Sequence, residues 1–375
     1  VIIEALVAMK ILIISKALTA ATYHRKLELI AAEPDVELTA IVPPVWIEPG
    51  VGEYPLELQK ASNYRMHIVP LGHNGHHHTF WWQGLGKLIA AEQPDILHAD
   101  EEAFNLATFQ AFWHARKTKA KLCFYNWADV ARRYPPPFSF FERYSYRHAA
   151  HAIAGNHLAK QLIRDHGYTG PISVIPQFGV DEKIFTPALE PLPKQPFVIG
   201  FFGRLMRSKG VLDLLDALEQ LPSEIHCRLI GKGDLSAQVE QRIAKAPLAG
   251  RVTLEPLIPS SAMPDAMRSV HAYVLPSRTT SNWKEQFGRV LIEAMACRVP
   301  VIGSNSGEIP HVIDTAGIVF PEGDVAALAE AIHKLYSDEA YRQTIAEAGR
   351  QRALSHYTQA SIAQQHLAVY RSMHS

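Results

Sequence analysis

Short apolar runs rich in Val, Ile and Leu recur along this chain with helical periods between them, and the alternation stops once, at a proline-rich stretch, before starting again. The runs of the first half are 10–15, 36–42, 67–69, 95–98, 121–125, 151–154 and 172–175. Those of the second half are 197–203, 226–231, 251–254, 272–276, 299–303 and 318–320. Strands buried on both faces read as continuous apolar runs, and parallel neighbours need helical crossovers between them. The pattern therefore predicts an α/β protein made of two Rossmann-like domains, each a parallel sheet wrapped by helices. Residues 187–196, PALEPLPKQP, break both periodicities and read as the linker. The expected domains are 1–186 and 197–357, with a last helix over 358–375 returning to the first.

The length of 375 residues and the 47% hydrophobic content suit two cored domains. Equal numbers of basic and acidic residues give no global charge to attract nucleic acid. The three cysteines, Cys123, Cys227 and Cys297, lie in apolar segments without metal-ligand or C-x-x-C spacing, which predicts buried reduced thiols in a cytoplasmic protein. The opening VIIEALVAMKILIIS lacks a basic flank and a cleavage site and is too short to span a bilayer. The first strand is expected from Met9 onward, with the eight residues before it an upstream extension.

The richest local pattern is EQFGRVLIEAMACRVP, residues 285–300. Glu285 precedes a helix and Glu293 lies on it, so the Phe287-Gly288-Arg289 amides at the helix start can face an anion while both carboxylates face hydroxyls. The plain alternative is an amphipathic helix with two solvated glutamates. A second pattern is FVIGFFGRLMRSKG, a buried strand ending at Gly203, followed by Arg204 and by Lys209-Gly210 at a helix start. Cations at the carboxyl end of a parallel strand stand where open α/β sheets bind ligands. Arg204 can fork across phosphate oxygens and Lys209 adds a compact charge.

Together these segments resemble the retaining glycosyltransferases of family 4, in the E-x7-E motif with its following Ala294, Met295, Ala296, Pro300, Val301 and Ile302, and in the G-R-x4-K-G element. Arg298 departs from the pattern, which usually has glycine there. The resemblance is strongest over residues 197–325 and implies the GT-B architecture, two domains facing a cleft, with the donor on the second and the acceptor on the first. It implies that Arg204 and Lys209 hold the donor diphosphate, Glu285 orients the donor sugar and Glu293 the ribose. Gly231 and Gly233 resemble the family's G-x-G, where a backbone can approach a base or ribose, and Leu257-Ile258 stand where relatives read the base with main-chain groups. The implied activity is hexosyl transfer from a UDP-, GDP- or ADP-sugar to a carbohydrate or lipid-linked hydroxyl, with no metal and no other cofactor.

The first half departs from the family more. It lacks the Gly-Gly turn after the first strand, and Asn126 stands where relatives have a histidine. Asn126 or Asp129 can contact donor or acceptor instead. His98, Glu101 and Glu102 follow the strand PDILH and can bind acceptor hydroxyls or supply a base, or else decorate a helix N-terminus. Lys16 reads as a phosphate contact or a solvated lysine. The histidines at 73, 76, 77 and 78 read as a loop before a helix over 79–93, TFWWQGLGKLIAAEQ, since near-consecutive residues rarely converge on one ion. Cations interleaved with aromatics in 132–148 fit a peripheral contact at the inner face of a membrane, or a helix with its aromatic face in the core. An epimerase or phosphorylase of GT-B type, or a non-catalytic sugar-nucleotide-binding module, shares the same donor features.

Overall fold

All thirteen expected strands form, in one sheet of seven and one of six. The computed structural model describes residues 8–49, 52–57, 63–128, 133–281 and 283–374. They fall into two units, the first comprising 1–178 and 359–375 and the second 179–358. The chain thus changes units before the proline-rich stretch, and 187–196 lies in the second unit.

The strands of the first unit are β1 (Met9–Ile14), β2 (Val36–Val42), β3 (Val45–Glu48), β4 (Gly52–Pro55), β5 (Arg65–Ile68), β6 (Leu71–Gly72), β7 (Trp81–Trp82), β8 (Ile96–Ala99), β9 (Lys121–Asn126), β10 (Ala149–Ala154) and β11 (Ile172–Val174). The main sheet is parallel in the order β11-β10-β9-β8-β1-β2-β5. Two small antiparallel ribbons, β3-β4 and β6-β7, were not foreseen. Trp81 and Trp82 were expected at the start of a helix; instead they pair with Leu71 and Gly72, and Trp82 is wholly buried.

Five helices, α1 (His24–Ala31), α2 (Leu85–Glu92), α3 (Leu106–Ala115), α4 (Phe138–His148) and α5 (His157–Asp165), complete this part of the chain. One face of the sheet is covered by Leu85, Ile89, Ala111, Phe112 and Ile163. The other is covered by α1 together with the last helix of the chain, whose Ile362, Leu367 and Tyr370 pack with Ile11, Ile13 and Leu27.

The second unit holds β12 (Phe197–Phe202), β13 (Ile225–Ile230), β14 (Val252–Glu255), β15 (Ala272–Leu275), β16 (Val301–Ser304) and β17 (Ile318–Phe320), parallel in the order β14-β13-β12-β15-β16-β17. Its helices are α6 (Val211–Glu219), α7 (Ser236–Ile243), α8 (Met263–Arg268), α9 (Arg289–Ala296), α10 (Ile309–Ile313), α11 (Val325–Ser337) and α12 (Glu339–His356). Leu214, Leu218, Val239, Leu328 and Ile332 bury one face. Asp324 and Asp338 cap α11 and α12 through the amides of Ala327 and Tyr341. The chain entering this unit and the chain leaving it run side by side, since Val180 bridges Thr358 and its amide donates to the Tyr357 carbonyl at 2.7 Å.

Helix α13 (Gln359–His374) then belongs to the first unit, where Arg371 forks onto Asp35 at 2.9 and 3.1 Å and reaches Glu33 at 2.8 Å. The three cysteines are buried, and burial pushes their thiols up, to about 12 for Cys297.

Candidate functional site

In each sheet the strand order reverses once, and the carboxyl ends of the two strands flanking that point form a ready crevice for ligands. In the second unit the reversal falls between β12 and β15, paired through Ile199–Ala272 and Gly200–Tyr273. The loops leaving these strands carry Arg204 and Lys209 on one side and Ser277, Arg278 and Glu285 on the other.

The two loops close on each other. Lys209 donates from Nζ to Glu285 Oε2 at 2.5 Å, and Ser277 donates to the same oxygen at 2.7 Å. Glu285 Oε1 makes no hydrogen bond among the described residues, although the residue is 7% exposed. Lys209 also lies 4.7 Å from the Trp283 ring centroid, a cation–π contact. Arg204 projects into solvent and its guanidinium has no partner among the described residues. One unit thus presents a fixed lysine, a half-satisfied carboxylate and a free guanidinium at its switch point.

Several glycines make this approach possible. Gly210 has φ +69, and a Cβ there would stand 1.8 Å from the Pro276 carbonyl oxygen. A Cβ on Gly231 would meet Gly203 O at 1.9 Å, and one on Gly233 would meet Leu205 O at 2.2 Å. The G-K-G turn was read as an opening for a base or ribose; its bare backbone is used at least as much to seat the 203–205 loop, whose Leu205 amide donates to Lys232 O at 3.2 Å.

Helix α9 begins at Arg289 with Gly288 as its N-cap in the left-handed region and no side-chain cap. Its first amides are therefore open to an anion. The Phe287 side chain is buried and packs on Tyr357, so only its main chain can serve a ligand. Glu293 is 5% exposed and accepts from Arg289 Nε at 2.7 Å. Burial raises its carboxyl above the ordinary range, and the half-exposed Arg289 only partly offsets this. Leu257 is exposed and Ile258 half-buried in the segment after β14, whose end is fixed by the Arg228–Glu255 fork at 2.6 and 2.8 Å.

One residue that sequence reasoning passed over is Arg278. Its amide donates to Ser208 O at 2.8 Å and its guanidinium forks onto Asp213 at 2.5 and 2.7 Å, which fixes the loop before Glu285 to the first turn of α6. Nothing in the spacing of Asp213 and Arg278 announces the pair.

In the first unit the reversal falls between β8 and β1. Lys16 follows β1, Glu101 and Glu102 follow β8, and Lys16 donates to Glu101 Oε2. Lys16 also lies 5.4 and 5.1 Å from the Trp46 and Phe80 ring centroids. Burial pushes the Glu101 carboxyl up to about 7.

His98 does not join them. It is 1% exposed and its Nδ1 meets the Tyr370 hydroxyl at 2.8 Å, so it fastens α13 to the sheet, and burial lowers its imidazole to about 4. Asn126 ends β9 nearly buried, donating to Ala128 O at 3.2 Å. Asp129 lies outside the described residues. The histidine loop is divided among separate partners: His73 stacks on His76 and meets Thr79, His77 meets Glu48, and His78 meets Asn105.

Two parallel Rossmann-like sheets, with a basic and acidic crevice at the switch point of each, are the frame of the GT-B sugar-transfer proteins. Residues 183–352 match the family described as Glycosyl transferases group 1, and residues 42–183 that described as Glycosyltransferase Family 4. The chain belongs to this family of glycosyltransferases.

It is similar to the alpha-maltose-1-phosphate synthase of Mycobacterium tuberculosis, 31% identical over 54% of this chain and 51% of that one. It is also similar to the capsular polysaccharide biosynthesis glycosyltransferase CapM of Staphylococcus aureus, 29% identical over 59% of each. The chain spans about half the length of the curated relatives it matches. Among solved structures, the HepE protein of Anabaena in complex with UDP superposes with a TM-score of 0.70 at 17% identity, over 97% of this chain and 100% of that one. A glycosyltransferase from Rickettsia africae gives 0.71 at 18% identity over 98% of both. At these identities the structures establish the shared fold. Among the described residues no helix is long and apolar enough to cross a membrane.

Proposed function

We propose that the chain is a retaining glycosyltransferase moving a hexosyl group from a nucleoside diphosphate sugar to a hydroxyl acceptor, without a metal, by front-face substitution. The observation that carries this reading is the Lys209–Glu285–Ser277 contact at the switch point of the second unit, beside the exposed Arg204 and the uncapped start of α9. The HepE complex with UDP supports a sugar nucleotide as donor.

In this scheme Arg204, Lys209 and the open amides of 288–289 take up the charge that grows on the departing diphosphate. A preorganised donor of that kind is worth about 2.7 to 4 kcal/mol where one has been removed. Glu285 Oε1 receives a hydroxyl of the donor sugar, and its other oxygen, held by Lys209 and Ser277, keeps the carboxylate in place. Glu293 receives the ribose hydroxyls. The first unit supplies the acceptor side.

A membrane-presented acceptor needs a docking surface, and α4 offers one: Phe140 is half exposed, and Trp113 of the neighbouring α3 is 43% exposed beneath Arg116 at 3.4 Å. The aromatic face of α4 is thus not wholly absorbed by the core, and we include a peripheral membrane contact there in the proposal.

The test is calorimetry with UDP, GDP and ADP on wild type and Arg204→Ala, followed by transfer assays on Glu285→Ala with the sugar nucleotides of whichever base binds. We expect one diphosphate to bind, Arg204→Ala to weaken it by about tenfold or more, since a charged hydrogen bond contributes roughly 1.5–3 kcal/mol, and Glu285→Ala to keep its fold and lose transfer. Full transfer by Glu285→Ala would sink the assignment.

A further inference from the structure

Glu101 holds one carboxylate oxygen in an unusual position. The residue is 4% exposed, and its Oε1 is buried without a hydrogen-bond donor among the described residues. Its Oε2 is taken by Lys16, with Asn105 Nδ2 at 3.4 Å. A buried acceptor left unmade costs about 1–3 kcal/mol, so an orphan of this kind in a well-packed unit asks for a ligand donor.

The surroundings are a connected polar cluster rather than a row of acids. Asn105 occupies the N-cap position of α3 but does not cap it; its side chain donates instead to Glu102 at 2.8 Å and pairs with His78 at 2.9 Å. Forgoing the cap gives up about 1 kcal/mol of helix stability. Lys16 is braced against the buried Trp46 and Phe80. All of this stands at the carboxyl ends of β1 and β8, on either side of the switch point.

The charge of the cluster discriminates among ligands. Lys16 brings one positive charge and is already paired with Glu101, while Asp100 and Glu102 add carboxylates beside them. Around Glu101 the carboxylates of Asp100 and Glu102 outnumber Lys16, with Lys26 beside Asp100. Phosphate or carboxylate placed here would meet like charge in a poorly solvated setting, whereas a hydroxyl can donate to Glu101 Oε1 and accept from Lys16.

We propose that the Lys16–Glu101–Glu102–Asn105 cluster binds an uncharged sugar ring of the acceptor through its hydroxyls and selects against a phosphorylated one. This rests on the reading of the chain as a glycosyltransferase and specifies its acceptor. Glu101 is the hydroxyl-binding group, Lys16 its charge partner, and Asn105 a positioning residue.

The experiment uses the full chain and saturation-transfer NMR with methyl α-D-glucopyranoside, methyl α-D-galactopyranoside and methyl α-D-mannopyranoside against glucose 1-phosphate. At least one methyl glycoside should bind, and glucose 1-phosphate about tenfold or more weaker than it, a ratio equivalent to about 1.4 kcal/mol. Glu101→Ala should abolish the glycoside signal. Glu101→Gln, which preserves shape, should keep weak binding and narrow the preference over glucose 1-phosphate severalfold, a change in selectivity that a purely structural role would not produce. Nucleoside diphosphate binding should be the same in both variants as in wild type.

The proposal is overturned if no methyl glycoside binds, if glucose 1-phosphate binds as well as the glycosides, or if the Gln variant keeps the wild-type preference. Failure of the glycosyltransferase reading would appear separately, as a wild-type protein that binds none of UDP, GDP and ADP.

Discussion

Lys209 meets Glu285 across the ends of β12 and β15, and Lys16 meets Glu101 in the same manner across β1 and β8. In both units the lysine follows the first strand of the main sheet and the glutamate follows the fourth in chain order. The reason is topological. The first and fourth strands are the neighbours between which a doubly wound sheet reverses direction, so their loops are not separated by a crossover helix and can touch. Each unit thereby places a charged pair at its crevice, one with a free carboxylate oxygen at Glu285 and one with a buried orphan at Glu101.

The position of Glu285 depends on Gly307. That glycine has φ +57, and a Cβ on it would lie 2.0 Å from the Glu285 carbonyl oxygen, which also accepts from the Glu308 amide at 2.9 Å. Gly307→Ala must move the Glu285 backbone as well as strain its own. Gly250 has φ +79 with open space around its missing Cβ, so Gly250→Ala carries the strain alone, about 1–2 kcal/mol. We expect chemical denaturation to show a loss of that size for Gly250→Ala with transfer unchanged. Gly307→Ala should lose more stability and most of its transfer activity. Equal behaviour of the two variants would show that Glu285 is not placed by this contact.

Helix α13 is tied into the first unit by a polar contact as well as by its apolar face. His98 and Tyr370 are both buried, with 2.8 Å between Nδ1 and the hydroxyl, and His98 Nε2 already lacks a partner. Tyr370→Phe leaves the second ring nitrogen unpaired too. The expected cost is about 1–3 kcal/mol of unfolding free energy, the usual penalty for an unmade buried group. Calorimetry should find nucleoside diphosphate binding unaltered, because β12 to β17 and their loops are untouched. A variant of full stability would remove the tethering role assigned to His98.

Much of this was legible in the sequence, and the parts that were not have physical reasons. The central strands were foreseen because burial on both faces forces unbroken apolar runs such as MKILII and VIGFF, whereas the edge strand β5, RMHI, is half exposed and carries a weaker run. The two short ribbons were missed because a two-residue strand such as Leu71-Gly72 has no period to detect. Trp81 and Trp82 looked helical because they adjoin the helical period of α2. Lys209 and Glu285 were named as candidates from recognisable local motifs, whereas the Arg278–Asp213 pair was not, since a pair 65 residues apart leaves no trace in spacing. His98 was placed at a crevice by its strand end. Alternation along β8 turns its ring the other way, onto α13, while the following Glu101 reaches Lys16.

Glu293 combines a cost in stability with a proposed part in donor binding, and pH separates the two. Burial holds its carboxyl above the range of an unfolded glutamate. The folded state therefore holds the proton more tightly, so the favourable contribution is present at pH below the unfolded value and fades as pH rises through the folded one. The ionised form is buried, and among the described residues Arg289 is the side chain that hydrogen-bonds to it. Glu293→Gln carries no charge to bury and should be more stable than wild type at neutral pH, with the advantage shrinking as the pH falls toward the ordinary carboxyl range. Its ribose contacts would change from charge-assisted to neutral hydrogen bonds, so nucleoside diphosphate affinity should fall by about tenfold, or roughly 1.4 kcal/mol. Denaturation at acid and neutral pH with parallel calorimetry checks both halves. A variant that gains stability yet binds the diphosphate as well as wild type would confine Glu293 to a structural role. One that loses stability at neutral pH would show that its pairing with Arg289 outweighs the burial.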